Sequence, residues 1–268
     1  MVKIAVTGKG GVGKTTITAG LARAFSRRSY KVVALDIDPS PNLLSSLGCG
    51  ENINLEHVKP LMENVDLIRE RTGAPPEGYG LVFKLNPKVD DILDRFGIEC
   101  RDGVKLLVVG TIKQGGGGCF CPANAFARRL VDYLSGGVDV LLMDMEAGVE
   151  HLGRGTTRTV EILLTVVEPS LKSVETAKHI KRLASDLGIK KVLAVLNKIK
   201  SAEEEKLISE SLQKIGIPTI YKIPYDEAMM KADLEGVSVF DLKEGDLMFK
   251  RMEELSKILE KEAEFSKV

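Results

Sequence analysis

The chain has 268 residues, is 44% hydrophobic, and balances 38 Lys and Arg against 38 Asp and Glu. That length admits one large α/β domain or two small ones, with enough apolar residues for a sizeable core. Zero formal net charge gives no global field toward nucleic acid or an anionic membrane. No apolar run approaches the roughly 20 residues of a membrane span, and four cysteines are too few for a disulfide scaffold.

Residues 2–7 (VKIAVT) read as a strand that passes directly into a glycine loop. That layout is unlike a signal peptide, so the expected location is cytoplasmic. A helical pattern follows over 15–27, and further short, β-branched apolar runs occur at 31–37, 138–144, 162–167, 191–196 and 218–223. They are nearly continuous in apolar character, as expected of parallel strands covered on both faces. Among the intervening amphipathic segments, 170–187 is the clearest helix. Ser170 can cap it, an apolar stripe runs from Leu171 to Leu187, and Gly188 ends it. The alternation predicts an α/β fold with a doubly wound, mostly parallel sheet flanked by helices. Residues from about 50 to 118 are less regular, with strand patterns near 81–84 and 105–109 and a GGGG run at 115–118. This stretch reads as an insertion at one end of the sheet, leaving 1–268 as a single domain. The last helical pattern, about 243–263, mixes Lys and Glu on its outer face, unlike the lopsided charge of a basic membrane anchor.

The loop at 8–15, GKGGVGKT, matches G-x-x-x-x-G-K-[ST] at every constrained position, between a strand and a helix. Gly8, Gly10, Gly11 and Gly13 let the backbone turn its N–H groups, including those of Val12 and Thr16, around phosphate oxygens. The helix N-terminus adds partial positive charge. Lys14 neutralises the β- and γ-phosphates, and the Thr15 hydroxyl can ligate Mg²⁺. The expected cofactors are therefore ATP and Mg²⁺.

Lys9, directly after the first glycine, makes the loop resemble the deviant phosphate loop of the nitrogenase iron protein, MinD and ParA ATPases, and arsenite- and tail-anchor-type ATPases. In that superfamily the early lysine reaches across a nucleotide-sandwiched dimer to the partner's phosphates, so the resemblance implies an ATP-dependent homodimer with Lys9, Lys14 and Asp38 as its catalytic residues. Three further stretches fit. In LDIDPSPN (35–42), Asp38 is the candidate for orienting the attacking water and Asp36 for reaching hydrated Mg²⁺, although either can instead cap a helix over 41–47. In VLLMDMEAG (140–148), Asp144 ends a strand as a Walker B aspartate does, and Gly148 frees the following switch loop. In VLNKI (195–199), the Asn197 amide can read the adenine edge; residue 200 is Lys where a guanine motif needs Asp, which favours ATP over GTP. Pro224 and Asp226 sit where the superfamily wraps backbone around the base.

Cys119 and Cys121 form a C-x-C pair followed by Pro122, Asn124 and a helical pattern. One pair supplies half of a tetrahedral thiolate site. Cys49 and Cys100 each stand alone and read as inert buried thiols. Two-fold symmetry would complete the site with a second copy of the pair. GGGGCFCP (115–122), DMEAGVEHLGRGT (144–156) and VVEPSLKSVETA (166–177) together resemble the CooC-type accessory ATPases. That resemblance implies ATP hydrolysis coupled to nickel insertion into carbon monoxide dehydrogenase or a related nickel enzyme. It also implies one Ni²⁺ or Zn²⁺ per dimer, bridged by Cys119 and Cys121 of both subunits. His151 is a transient metal ligand, a dimer contact or a structural loop residue, and Arg154 and Arg158 either contact the partner or close a salt bridge. Two other classes share the loop: a MinD- or ParA-like positioning ATPase, which needs a basic terminal helix or a basic face, and an Fe–S cluster carrier. Neither a nucleic-acid nor a membrane partner is expected.

Overall fold

The computed structural model describes residues 1–38, 42–49, 58–76, 81–110, 122–134, 136–146 and 160–265. Among these, eight strands form one sheet in the order β3-β4-β2-β5-β1-β6-β7-β8. The strands are β1 (Val2–Gly8), β2 (Val32–Asp36), β3 (Ile98–Glu99), β4 (Lys105–Val108), β5 (Val140–Asp144), β6 (Ile162–Val167), β7 (Lys191–Ile199) and β8 (Thr219–Pro224). Every neighbouring pair is parallel except the edge pair β3–β4. The helices are α1 (Lys14–Arg27), α2 (Leu43–Ser46), α3 (Val65–Thr72), α4 (Ile92–Phe96), α5 (Pro122–Leu134), α6 (Leu171–Asp186), α7 (Ala202–Lys214), α8 (Glu227–Glu235) and α9 (Asp246–Glu262).

The continuous apolar strands are explained by two cores, one on each face of the sheet. Successive side chains of a strand point to opposite faces. In β5, Leu141 and Met143 enter the core that holds Phe126 and Leu130 of α5 and Ala177 and Ile180 of α6. Val140 and Leu142 enter the core shared with Ile17 and Leu21 of α1 and Met252 and Leu255 of α9. The apolar stripe of α9 is thereby covered by α1 and the sheet. No helix of the described residues is long and apolar enough to cross a membrane.

Two expectations are corrected. Residues 81–84 form no strand: Val82 is 97% exposed, and the Lys84 N–H donates to the Thr72 carbonyl, not to a ladder. Cys49 and Cys100 are not separate thiols; they form a disulfide across a sequence separation of 51. The link is possible because β4 pairs with β2, which brings the turn before β4 beside the end of α2. Counting cysteines along the chain could not reveal a contact made by sheet topology.

Beside that disulfide lies a charge cluster built around one buried arginine. Arg23 of α1, 2% exposed, donates to Asp102 at 2.6 Å and to Asp241 at 2.7 Å. Arg27 pairs with the other Asp102 oxygen at 3.0 Å. Burial raises the Asp102 carboxyl, but hydrogen bonds from Arg27 and Arg23 outweigh it and hold the group below its ordinary range.

Candidate nucleotide site

The glycine loop leaves β1 at the carboxyl edge of the sheet, between β5 and β6; from β1 the chain crosses to β2 on one side, whereas from β6 it crosses to β7 on the other. Open α/β sheets bind ligands at such a point. The β6 backbone crowds the start of the loop: a Cβ at Gly8 would lie 2.4 Å from the Val166 carbonyl oxygen. Gly13 takes φ 95° as it enters α1, and a Cβ there would lie 2.5 Å from the Asn197 amide nitrogen. Glycine at both positions is a packing requirement as well as a conformational one. Gly10, Gly11, Val12 and Gly13 complete the turn, and Lys14, Thr15 and Thr16 open α1.

Lys14 is 8% exposed, with its ammonium 3.4 Å from the Lys9 carbonyl oxygen. The Lys9 ammonium points elsewhere, forming an ion pair with Glu168 at 2.7 Å. Glu168 follows β6, and its N–H donates to the Ser173 hydroxyl in the first turn of α6.

On the other side of the loop, Asp36 and Asp144 are register partners at the ends of β2 and β5, both almost fully buried. Burial raises the Asp36 carboxyl from its ordinary 3.8 to about 7; N–H donors from Leu43 and Asp38 oppose the shift, and Asp144 adds to it. Burial likewise raises Asp144 to about 6, against the opposing effects of the Thr15 hydroxyl and the Lys14 charge. The Thr18 hydroxyl also lies 3.3 Å from Asp144. Asp36 accepts the Leu43 N–H at 3.0 Å, so it caps α2 as well as facing the loop. Asp38 follows β2, half-buried, with its N–H on Asp36.

Asn197, near the end of β7, is 5% exposed and donates to the Val12 carbonyl at 2.7 Å. One amide hydrogen of the expected adenine reader is therefore engaged by the loop itself. Pro224 ends β8, while Asp226 caps α8 through the Ala228 N–H and pairs with Arg251 at 3.3 Å. The structure thus gathers Lys9, Lys14, Thr15, Asp36, Asp38, Asp144 and Asn197 around one loop and places Pro224 and Asp226 on the same edge of the sheet, beyond β7. Cys119, Cys121, Gly148, His151, Arg154 and Arg158 lie outside the described residues.

The sequence reading missed Glu168, Thr18 and Lys198 as parts of this site. Glu168 and Thr18 each had a signal, a polar residue at the carboxyl end of a buried strand and one a turn along α1 from the loop lysine; Lys198 had none. The donor set fits Mg²⁺. No group of three or more His, Cys, Asp or Glu that could hold a metal occurs among the described residues. Mg²⁺ beside phosphates, however, needs only one or two carboxylates and keeps several waters. Two buried carboxylates held partly protonated, with a hydroxyl from Thr15, are the groups such a cation would relieve.

A phosphate-binding loop at the switch point of a parallel sheet, faced by two strand-end aspartates, defines a nucleotide-binding ATPase. The chain belongs to the CobQ/CobB/MinD/ParA nucleotide-binding domain family, whose model matches residues 3–239. It is 46% identical over 235 residues to an ATP-binding protein of Methanocaldococcus jannaschii, covering 87% of this chain and 89% of that one. It is 44% identical over 241 residues to the carbon monoxide dehydrogenase accessory protein CooC of Rhodospirillum rubrum, covering 90% of each. The fold matches MinD in the MinC:MinD complex of Aquifex aeolicus, with a TM-score of 0.69 at 21% identity over 97% of this chain and 96% of that one.

Proposed function

We propose that the chain is a cytoplasmic ATP-driven metallochaperone that dimerises around nucleotide and supplies nickel to carbon monoxide dehydrogenase or a related nickel enzyme. The observation that carries this reading is the 44% identity to CooC over 90% of both chains. A match of that extent spans the middle of the chain, where Cys119 and Cys121 lie.

The residues take these roles. Loop N–H groups and Lys14 hold the β- and γ-phosphates, and Asp38 orients the attacking water. Asp36, Asp144 and Thr15 would hold Mg²⁺, which supplies charge neutralisation when bound. Asn197, Pro224 and Asp226 frame the base. Lys9 leaves Glu168 and reaches the partner's phosphates, so ATP draws two copies together. Catalysis is mainly positioning and neutralisation of charge. Dimer closure brings two Cys119 and two Cys121 thiolates to one axis, where they take a Ni²⁺ or Zn²⁺ ion as cargo. Hydrolysis separates the subunits and frees the ion for the client enzyme.

Elemental analysis combined with mass measurement, with and without ATP, tests the reading. One metal ion per dimer is expected, with loss of that ion in the Cys119→Ala/Cys121→Ala double variant. Full metal occupancy in the double variant would reject the thiolate site. Iron with acid-labile sulfide in anaerobically purified protein would move the assignment to a cluster carrier.

A further inference from the structure

The end of β7 is irregular in a way that the strand's own pairing does not require. Its register with β8 shifts between Leu196 and Ile199. Inside that irregularity Lys198 adopts φ 62°, the left-handed region, which is unfavourable for a residue with a Cβ. The other described non-glycine residues with positive φ are Ser29, Asp102 and Glu264, all outside strands. Such conformations persist only where surrounding contacts hold them, and they concentrate at functional sites.

The side chains of this bulge reach the phosphate loop. The Lys198 ammonium donates to the Gly11 carbonyl at 2.6 Å, a charge-assisted bond. The Asn197 amide donates to the next loop carbonyl, Val12, at 2.7 Å. The Lys198 N–H donates to the Asn197 side-chain oxygen at 3.0 Å, which sets the direction of that amide. Gly13 packs directly against the same amide. Two consecutive loop carbonyls are thus drawn toward β7. Because a trans peptide carries its C=O and N–H on opposite sides, the N–H groups of Val12 and Gly13 are turned away from β7, that of Val12 lying 3.4 Å from the Lys9 carbonyl oxygen inside the loop. A loop with these carbonyls free could present oxygen to a phosphate, where like charge repels.

We propose that the bulge at Asn197–Lys198 is a brace that presets the phosphate loop, with Lys198 as a positioning residue acting through the Gly11 carbonyl. The proposal rests on nucleotide binding at this loop and not on the metal-insertion reading.

The test is titration of ATP with Mg²⁺ into the unsubstituted chain, Lys198→Asn and Lys198→Arg, followed by steady-state hydrolysis. Asn tolerates the left-handed conformation, so Lys198→Asn should keep the Tm of the nucleotide-free protein at or above its starting value. Its Kd and KM for ATP should rise about tenfold, as for loss of one charged hydrogen bond, with kcat changed less than threefold. Lys198→Arg retains a cationic donor and should bind within threefold of the unsubstituted chain. Unchanged ATP affinity in Lys198→Asn overturns the proposal. So does an equal loss in Lys198→Asn and Lys198→Arg, which would make the position structural. If the unsubstituted chain bound no ATP, the nucleotide reading would fall together with the brace, which separates the two failures.

Discussion

Helix α1 touches two groups of buried charge, and they are built on opposite principles. Along its later turns, Arg23 and Arg27 meet Asp102 and Asp241, so that cation and carboxylate answer one another. At its first turns, Lys14, Thr15 and Thr18 meet Asp144, which lies next to a second carboxylate, Asp36. In the first group the guanidinium bonds keep Asp102 ionised; in the second, burial keeps both aspartates partly protonated near neutrality. A matched cluster contributes structure, whereas a buried like-charged pair carries a cost that protonation or a bound cation relieves. That difference separates the stabilising half of α1 from the chemical half.

The sharpest way to break the comparison is to remove one member from each cluster. Arg23→Met leaves Asp102 and Asp241 without their shared partner and should cost about 3 kcal/mol of stability, as for a broken buried pair. ATPase activity per folded molecule should stay unchanged. Asp144→Asn should do the reverse: at pH 7.5 its Tm should hold or rise, while hydrolysis falls about a hundredfold. Thermal denaturation and steady-state hydrolysis of both variants check this. Equal destabilisation in the two would erase the distinction.

The disulfide belongs to the structural half. A cross-link closing a loop of 51 residues stabilises by about 4 kcal/mol in the chain-entropy model. Reduction, or Cys49→Ser with Cys100→Ser, should lower Tm by about 5–10 °C, since roughly 2–4 °C accompanies each kcal/mol at this size and cross-links often deliver less than the model. Hydrolysis below the transition should not respond. Thiol alkylation before and after reductant gives the stoichiometry, and two reactive thiols at these positions in untreated folded protein would remove the link.

Titration distinguishes the two halves more finely. Asp36 and Asp144 have folded values near 7 and 6, above their unfolded value near 4. Between those values the folded chain binds more protons than the unfolded chain, so stability falls as pH rises through the window. In the presence of a chelator and without nucleotide, Tm should rise by about 3–6 °C on moving from pH 7.5 to pH 5.5. Asp36→Asn should flatten that slope. A Tm that falls over the same interval would place both carboxylates in an ordinary environment.

These contrasts also show how far the sequence could be read. The strands around β1 were legible because covered parallel strands leave continuous apolar runs, and the loop was legible because each of its residue types has a separate physical reason. The pairings that decide the clusters were not. Arg23 and Asp102 are 79 positions apart and Arg23 and Asp241 are 218 apart, and no local pattern links them. Cys49 and Cys100 looked solitary for the same reason. Lys198 was hidden by a different effect: a strand pattern predicts alternating sides and cannot announce a left-handed residue that turns a side chain onto a neighbouring loop. The short run at 81–84 shows the converse, where apolar character alone suggested a strand and the structure leaves Leu81 and Val82 exposed outside the sheet.

The smallest expected effect concerns Lys9, whose charge, in the function proposed above, connects the site to a second copy of the chain. In the single chain its ammonium lies on Glu168, with both side chains partly exposed. Such a pair is worth about 1 kcal/mol or less. It is weak enough to open when a partner's phosphates offer several negative charges, yet it opposes that opening. Glu168→Gln keeps the shape and removes the charge, so half-maximal dimerisation should need two- to fivefold less ATP, within the range of that energy. Lys9→Ala should still bind nucleotide but form no ATP-dependent dimer. Light scattering across an ATP titration measures both. An unmoved midpoint in Glu168→Gln would make the ion pair incidental, and a normal dimer in Lys9→Ala would end the cross-subunit assignment. Because the two substitutions remove opposite ends of one contact, opposite shifts are the specific signature of a lysine exchanged between its own glutamate and another subunit's phosphates.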